Sequence, residues 1–456
     1  MPRVLGALAL SASMILVPVS GTAVAASPPH TTDSFGGPGG GAPGRGGAPH
    51  TVVTDGGKLA NIRQALRSSH ATAAQRTALK VVLDKANTAL TAGPWSVMDK
   101  PSAPPSGDKH DYTSQAPYWW ASQPKTPENP QGCPYVGKDG QRNPEADAIT
   151  DHTYRMWAWD AMYYLSLAWY YTGDAKYAKR AALDIRTWFL DPATRMNPNM
   201  TYSQIVPCRT TVSGTGIIDS TQSFSQLMDA FALLDGGAPG WTGKDRSGIK
   251  AWLTQYLSWM QTSPQAKLEL AATNNHGTFL DMQNATISAY LGRRNAAKQI
   301  VLDAEQKRFP VQFAADGSQP LELSRTMSWH YVNFNLTAWG RMAELGKNLG
   351  VDVWKYRAAN GVTLRKVVDQ LIPAALHGAQ AWPHQQIGVF DQSIAADIFH
   401  AAAEEAHDPD AAAALKQLPL PTGGDTWPVR VSCFPLLGHV EALLMIVERT
   451  RSPQSG

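Results

Sequence analysis

Ala271-Ala-Thr-Asn-Asn-His-Gly-Thr-Phe-Leu-Asp-Met-Gln283 reads as a loop that turns into a helix. Two neutral amides, Asn274 and Asn275, precede the imidazole of His276 and then Gly277. Gly277 permits a tight bend or the close approach of another group. Phe279, Leu280 and Met282 supply the first apolar positions of the helix. Taken alone, a turn that caps a helix is the commoner explanation of such a polar run. At a loop-to-helix junction, though, the same side chains can be aimed into a cleft.

The surroundings of this stretch are helical. Helix-type spacing recurs over 152–172, 175–190, 222–235, 243–262, 276–293, 294–308, 330–349, 353–376, 391–406 and 435–451. Upstream, Leu59, Ile62, Ala65 and Leu66 start a helix near 57, and 73–92 continues as a second. Strand-like alternation is scarce; 205–212 and 386–390 are the best strand or loop candidates. About a dozen helices joined mostly by short loops imply an all-α fold. The expected form is an (α/α)n toroid of helical hairpins, with six or seven pairs and an incomplete barrel. No fixed-period repeat supports this, so it rests on helix count. A toroid gathers its loops at one end and makes a cleft there.

Residues 93–151 differ. Ser102 to Trp120 is rich in prolines and aromatics, and prolines continue through Pro124, Pro127, Pro130 and Pro134. A loop that long in a compact domain is usually functional. Its aromatic residues fit either sugar stacking or anchorage to the core.

Composition narrows the partners. The chain has 456 residues, enough for one large domain or two. Charged residues are 17%, below the usual share of about 25%. Fifteen tryptophans and 14 tyrosines offer flat surface for sugars, or for a large core. A net charge of +3, no long basic run and no phosphate-cradling glycine motif argue against nucleic acid. Met1 to about Ala26 has the charge, apolar run and small-residue end of a secretory signal. Residues 27–50 read as a Gly/Pro-rich flexible linker, leaving 51–456 as the folded domain. A secreted monomer is expected, extracellular or periplasmic, with no later membrane span. Of Cys133, Cys208 and Cys433, export permits one disulfide and leaves its pairing open. Their spacing does not resemble a zinc site, and neither metal nor cofactor is expected.

A second stretch, Ser324-Arg-Thr-Met-Ser-Trp-His-Tyr-Val-Asn-Phe-Asn-Leu336, changes the odds for the first. It adds the permanent cation of Arg325, the imidazole of His330 and the phenol of Tyr331. Together the two stretches hold what β-elimination on a 1,4-linked polyuronate requires. The C5 proton is weakly acidic while the neighbouring carboxylate keeps its charge. Arg and Asn donors must therefore offset that charge and stabilise the developing dianion. A base then takes the proton, and an acid protonates the leaving glycosidic oxygen. His and Tyr suit those tasks. A tyrosine acting as base would need a cation such as Arg325 to favour its phenolate.

These residues also carry a resemblance. Over about 95–450 the chain resembles alginate-lyase-type polysaccharide lyases of the helical-toroid group with an Asn-Asn-His motif. The matching parts, in order, are Asp111-Tyr112, Ala116-Pro-Tyr-Trp-Trp120, Asn143-Pro-Glu145, Gly214-Thr-Gly-Ile-Ile-Asp219, Asn274-Asn-His-Gly277, Ser324-Arg325 through Tyr331, and Phe334-Asn-Leu336. The resemblance implies that Asn274 or Asn275, with Arg325, neutralises the uronate carboxylate. It implies that His276 serves as base for one C5 epimer, or helps hold the carboxylate for the other. Tyr331 would protonate the leaving oxygen and, in syn elimination, could also take the proton. The family's best-known members close a Tyr-His-Asn-Tyr run seven residues after the arginine. Here that position is Val332, inside Trp329-His-Tyr-Val-Asn-Phe334. Tyr331, six residues after Arg325, takes the place instead, as in polysaccharide lyase family 38 and unlike family 5. Alginate, polymannuronate and glucuronan are the substrates this implies. His110, Tyr112, Trp119, Trp120, Arg155 and His330 are further substrate-binding candidates. A capping or surface role is the alternative for Arg155, with His152 and Tyr154, at the start of its helix.

Two rival readings remain. A glycoside hydrolase on the same scaffold needs two carboxyl groups facing one bond; Asp160, Glu322 and Asp391 form no convincing pair in sequence. A non-catalytic carbohydrate-binding protein would have an incomplete Arg, His and Tyr set, and here the set is complete.

Overall fold

The computed structural model describes residues 47–209, 216–220 and 224–429. The signal and most of the linker expected over 1–50, the helix expected at 435–451 and Cys433 lie outside them. Helices α1 (Gly56–Arg67) and α2 (Ala73–Ala89) come first, α2 opening on a Thr72–Gln75 capping box. The long loop follows. It carries strands β1 (Thr113–Gln115), β2 (Trp119–Ala121) and β3 (Tyr135–Gly137).

Helix α3 (Asp151–Thr172) is buried along nearly all of its faces and stops at Gly173, whose φ of +75° suits a glycine C-cap. α4 (Ala175–Ile185) buries only Tyr177, Ala178, Ala181, Ala182, Asp184 and Ile185, the stripe of an outer helix. Strand β4 (Tyr202–Ile205) pairs parallel with β1, and β2 pairs antiparallel with β3. α5 (Phe224–Asp235) and α6 (Gly243–Thr262, capping box Thr242–Asp245) lead to the short α7 (Pro264–Ala271). α8 (Asn275–Tyr290) leaves only His276 and Ala289 outside its buried set. α9 (Arg294–Asp303), α10 (Phe309–Gln312) and α11 (Pro320–Leu323) precede the long α12 (Ser328–Leu349). α13 (Leu364–Asp369), α14 (Ile372–His377), α15 (Ala396–Glu405) and α16 (Pro409–Leu415) complete the order.

The packing order explains the burial. α3 lies against α5, α5 against α8, α8 against α12, and α12 against α15. These helices, apolar on most sides, form an inner wall; α4 backs α3 and α9 backs α8 and α12. The curve is tied across its ends. Lys58 of α1 pairs with Glu404 of α15, and Tyr171 donates to the Val429 carbonyl at 3.1 Å. Val52, Val53 and Thr54 link α5 and α12. Their three N–H groups donate to the buried Asp229 carboxylate of α5 at 2.6–2.9 Å. Asn348 of α12 donates back to the Val52 and Val53 carbonyls at 3.0 and 2.9 Å. The result is the expected all-α toroid.

Several sequence expectations are corrected. The helix read as 353–376 is a 3-10 turn (Val353–Lys355), a loop, then α13 and α14. Gly361 at φ +82° and Pro373 at the start of α14 interrupt it, although the apolar spacing runs on. Of the two strand or loop candidates, 205–212 meets β4 (202–205) only at Ile205, with 210–212 outside the described residues, and 386–390 is a loop with one isolated bridge, Met327 to Gln386. Cys133 and Cys208 form a disulfide that fastens the β2–β3 hairpin beside the end of β4. No described helix is long and apolar enough to cross a membrane.

Candidate active site

The Asn-Asn-His corner is built by its neighbours. Asn274 is the N-cap of α8; its side chain accepts the His276 N–H at 3.3 Å. Arg308 donates to the Ala272 carbonyl and to Asp281 of α8, each at 2.7 Å, and so pins the incoming loop. A side chain at Gly277 would collide with that guanidinium and with the Ala272 carbonyl, so close approach is what the glycine permits. Gln312 of α10 holds the Thr273 and Asn274 carbonyls at 3.1 and 2.9 Å.

The two amides then part roles. Asn274 stays half-buried at the surface of the site. Asn275 is buried, and its backbone N–H and side-chain amide both donate to Glu322, at 2.8 and 2.7 Å. Burial pushes the Glu322 carboxyl up, while the Asn275 hydrogen bonds and the charges of Arg325 and His276 pull it down. Glu322 therefore sits between the two sequence stretches. His276 is oriented from the other side: its Nδ1 lies 2.9 Å from Oε1 of Glu269 on α7. A carboxylate accepts, so Nδ1 carries the proton and Nε2 is left as the basic nitrogen.

Arg325 and Tyr331 form the second half. Asp139, two residues past the end of β3, accepts from Nε (3.0 Å) and Nη2 of Arg325. The Asp139 carboxylate also takes the Thr326 N–H at 2.9 Å. Arg325 Nη2 donates to the Tyr331 hydroxyl at 2.7 Å, with the guanidinium 3.7 Å from the ring centroid. Tyr331 in turn donates to the hydroxyl of Tyr118 at 3.1 Å. The cation expected beside the phenol is present. Even so, burial pushes the Tyr331 phenol well above its ordinary value; Tyr118 adds to this and Arg325 only opposes it. Tyr331 at rest is a proton donor, not a phenolate.

The remaining candidates fall into two groups. Two belong to the frame of the loop and not to an open site. Tyr112 is buried and donates to Asp219 at 3.1 Å. Arg155 is 0% exposed, with its guanidinium 5.0 Å from the Trp159 ring, which corrects the surface or capping role expected for it. The others keep some exposure. His110 is tied to the Arg195 carbonyl at 2.6 Å. His330 stacks on Phe334, and burial, then Arg325, lowers its pKa to about 4, so it is neutral at ordinary pH. Trp119 and Trp120, in β2, each have a cation on one face. Arg209 lies 4.0 Å from the Trp119 centroid and Lys138 4.9 Å from that of Trp120.

Sequence reading missed Glu269, Asp139 and the role of Tyr118. Glu269 had a faint signal, an acid on the helix just before the motif. Asp139 had none, because its partners lie far along the chain. Two of the three carboxylates named for a hydrolase are otherwise engaged: Glu322 holds Asn275, and Asp391 caps the turn at Gln392–Ala395 through Ser393. Glu269 and Asp139 likewise hold His276 and Arg325.

A helical toroid that gathers an imidazole, a phenol, a guanidinium and amides has the groups that elimination by a polysaccharide lyase would need. Comparison with known proteins gives the family. The sequence profile described as alginate lyase matches residues 96–382. An alginate lyase from Bacteroides ovatus is 36% identical over 84% of this chain and 98% of its own, with a TM-score of 0.77. A variant of alginate lyase A1-III complexed with tetrasaccharide covers 84% of this chain and 97% of its own, at 15% identity and TM-score 0.53. That second likeness is one of fold. No curated protein matches the chain significantly. The chain belongs to the alginate lyase family.

Proposed function

We propose that this lyase cleaves a 1,4-linked polyuronate, alginate or glucuronan, by β-elimination. The observation that carries the reading is the meeting of two sequence stretches at Glu322, with an oriented imidazole on one side and a cation-braced phenol on the other. The uronate carboxylate would lie against the Asn274 amide and Arg325, which offset its charge as the C5 anion develops. His276 Nε2 would take the C5 proton. The electron pair of the C5–H bond becomes the C4–C5 double bond as the C4–O4 bond breaks. Tyr331 gives its proton to the departing oxygen. Glu269 stabilises the imidazolium that forms, as the carboxylate of a hydrolytic triad does. Asn275 serves the geometry through Glu322, leaving Asn274 as the amide closer to substrate.

Likeness to the Bacteroides ovatus alginate lyase, at 36% identity, favours alginate as the first polymer to test. Export is part of the proposal and rests on the Met1–Ala26 pattern; action as a monomer is the accompanying expectation.

The test is the ultraviolet absorbance of the unsaturated uronate end, followed on separate polymannuronate, polyguluronate and glucuronan. A rise on one of them is expected and names the uronic acid. New reducing ends without absorbance would mean hydrolysis and overturn the reading. Binding without either product would point to a carbohydrate-binding role.

A further inference from the structure

The hydroxyl of Tyr331 sits in a closed setting. The residue is 6% exposed. Its oxygen accepts from Arg325 Nη2 at 2.7 Å and its hydrogen goes to Tyr118 at 3.1 Å. If Tyr331 gives a proton to the leaving oxygen in each turnover, that proton must come back from water. Arg325 cannot supply it, because a guanidinium does not give up its proton in a protein. Among the hydrogen bonds described at this oxygen, Tyr118 is the one partner able to pass a proton. It is half-buried, more open than Tyr331.

Tyr118 is also held in place. Its residue opens the β2 side of the hairpin, and its carbonyl accepts the Lys138 N–H at 2.7 Å. The next residue, Asp139, grips Arg325 and Thr326. At the far end, the Cys133–Cys208 disulfide fixes the hairpin to the segment after β4. A group anchored on both sides keeps the short, directional contact that proton transfer requires.

We propose that Tyr118 is the relay that reprotonates Tyr331 after each elimination. Tyr118 gives its hydroxyl proton to the Tyr331 oxygen and takes one from water. The C5 proton leaves His276 for solvent and neutralises the hydroxide, so no proton is consumed overall and nothing is oxidised. Tyr118 acts through Tyr331 and is a positioning residue, not one that touches the reacting atoms. The inference rests on the lyase reading with Tyr331 as acid.

The experiment compares wild type, Tyr118→Phe and Asp139→Asn on the polymer that wild type cleaves, with imidazole buffer varied at constant pH and ionic strength. Tyr118→Phe keeps the ring, and its unfolding midpoint checks that the fold survives. Its kcat is expected to fall about a hundredfold, the low end of what a positioned proton carrier contributes, with KM little changed, and to recover as imidazole rises. Asp139→Asn loosens Arg325 but leaves the two phenols in contact, so its loss should not respond to imidazole. Tyr118→His, which restores a proton carrier, should be faster than Tyr118→Phe. An unchanged kcat in Tyr118→Phe, or a fall that neither imidazole nor histidine restores, overturns the relay. No absorbance with wild type on any polyuronate instead overturns the lyase reading, and the relay with it.

Discussion

Tyr331→Phe is expected to lower kcat about 10²- to 10⁴-fold, the range over which one positioned proton donor contributes, while KM changes little. The substitution keeps the ring under the Arg325 guanidinium and removes only the hydroxyl. Loss of rate with retained oligosaccharide binding, read by absorbance and calorimetry, would place Tyr331 in the proton path. A loss of binding with unchanged kcat would remove it. The pH profile separates acid from base. Burial holds the phenol protonated beyond its ordinary value of 10.0. As acid, Tyr331 therefore imposes no loss of activity as pH rises toward that value. A rate that climbs all the way to pH 10 would make Tyr331 the base and displace His276 from that role.

Lys100→Met is expected to be the most destabilising single change, by about 3–5 kcal/mol at pH 8, because it strips the partner from a buried carboxylate. Lys100 and Asp151 face each other at 3.0 Å with neither side chain exposed. Lys100 also donates to the Val97 and Lys109 carbonyls, and Asp151 takes the Thr113 N–H at 2.9 Å, so the pair ties the long loop to the start of α3. Burial pushes Asp151 up to about 7 in spite of Lys100, and lowers Lys100 in spite of Asp151. The sign follows. A carboxyl whose folded pKa lies above its unfolded value of 3.8 favours the folded chain in its neutral form. That advantage is lost as pH rises through about 7. Without Lys100 the neutral form is favoured further. The variant's deficit in urea unfolding should thus shrink from pH 8 to pH 5. A deficit independent of pH would mean that Asp151 does not titrate in this range.

What could be read from sequence was local. α6 begins and ends where its helical spacing, 243–262, placed it, and α3 ends at Thr172 as read, on Gly173. Asn274, His276, Arg325 and Tyr331 were recognisable because they fall in two short clusters, 274–276 and 325–331, that together hold the side-chain types the chemistry needs. The residues that aim them were not. Glu269, Glu322 and Asp139 act across contacts whose pairing depends on how α7, α11 and the hairpin fold back. Aromatic residues were undecided for a related reason. Trp119 and Trp120 fitted either sugar stacking or anchorage to the core; Arg209 and Lys138 each cover one face once the hairpin and β4 are in place. Tyr112 and Arg155 looked polar enough to meet substrate; in the fold both are buried.

The grip of Asp229 on Val52, Val53 and Thr54 moves the true edge of the domain upstream of its first helix. Those residues sit just past a glycine-rich stretch and look expendable. A chain trimmed to start at α1 would leave a buried carboxylate facing three missing donors, and Asn348 without its two carbonyls. The damage would fall on α5 and α12, in the wall that also carries Tyr331. A shortening meant to tidy the amino end would thereby unpin, at its far end, the helix on which Tyr331 stands.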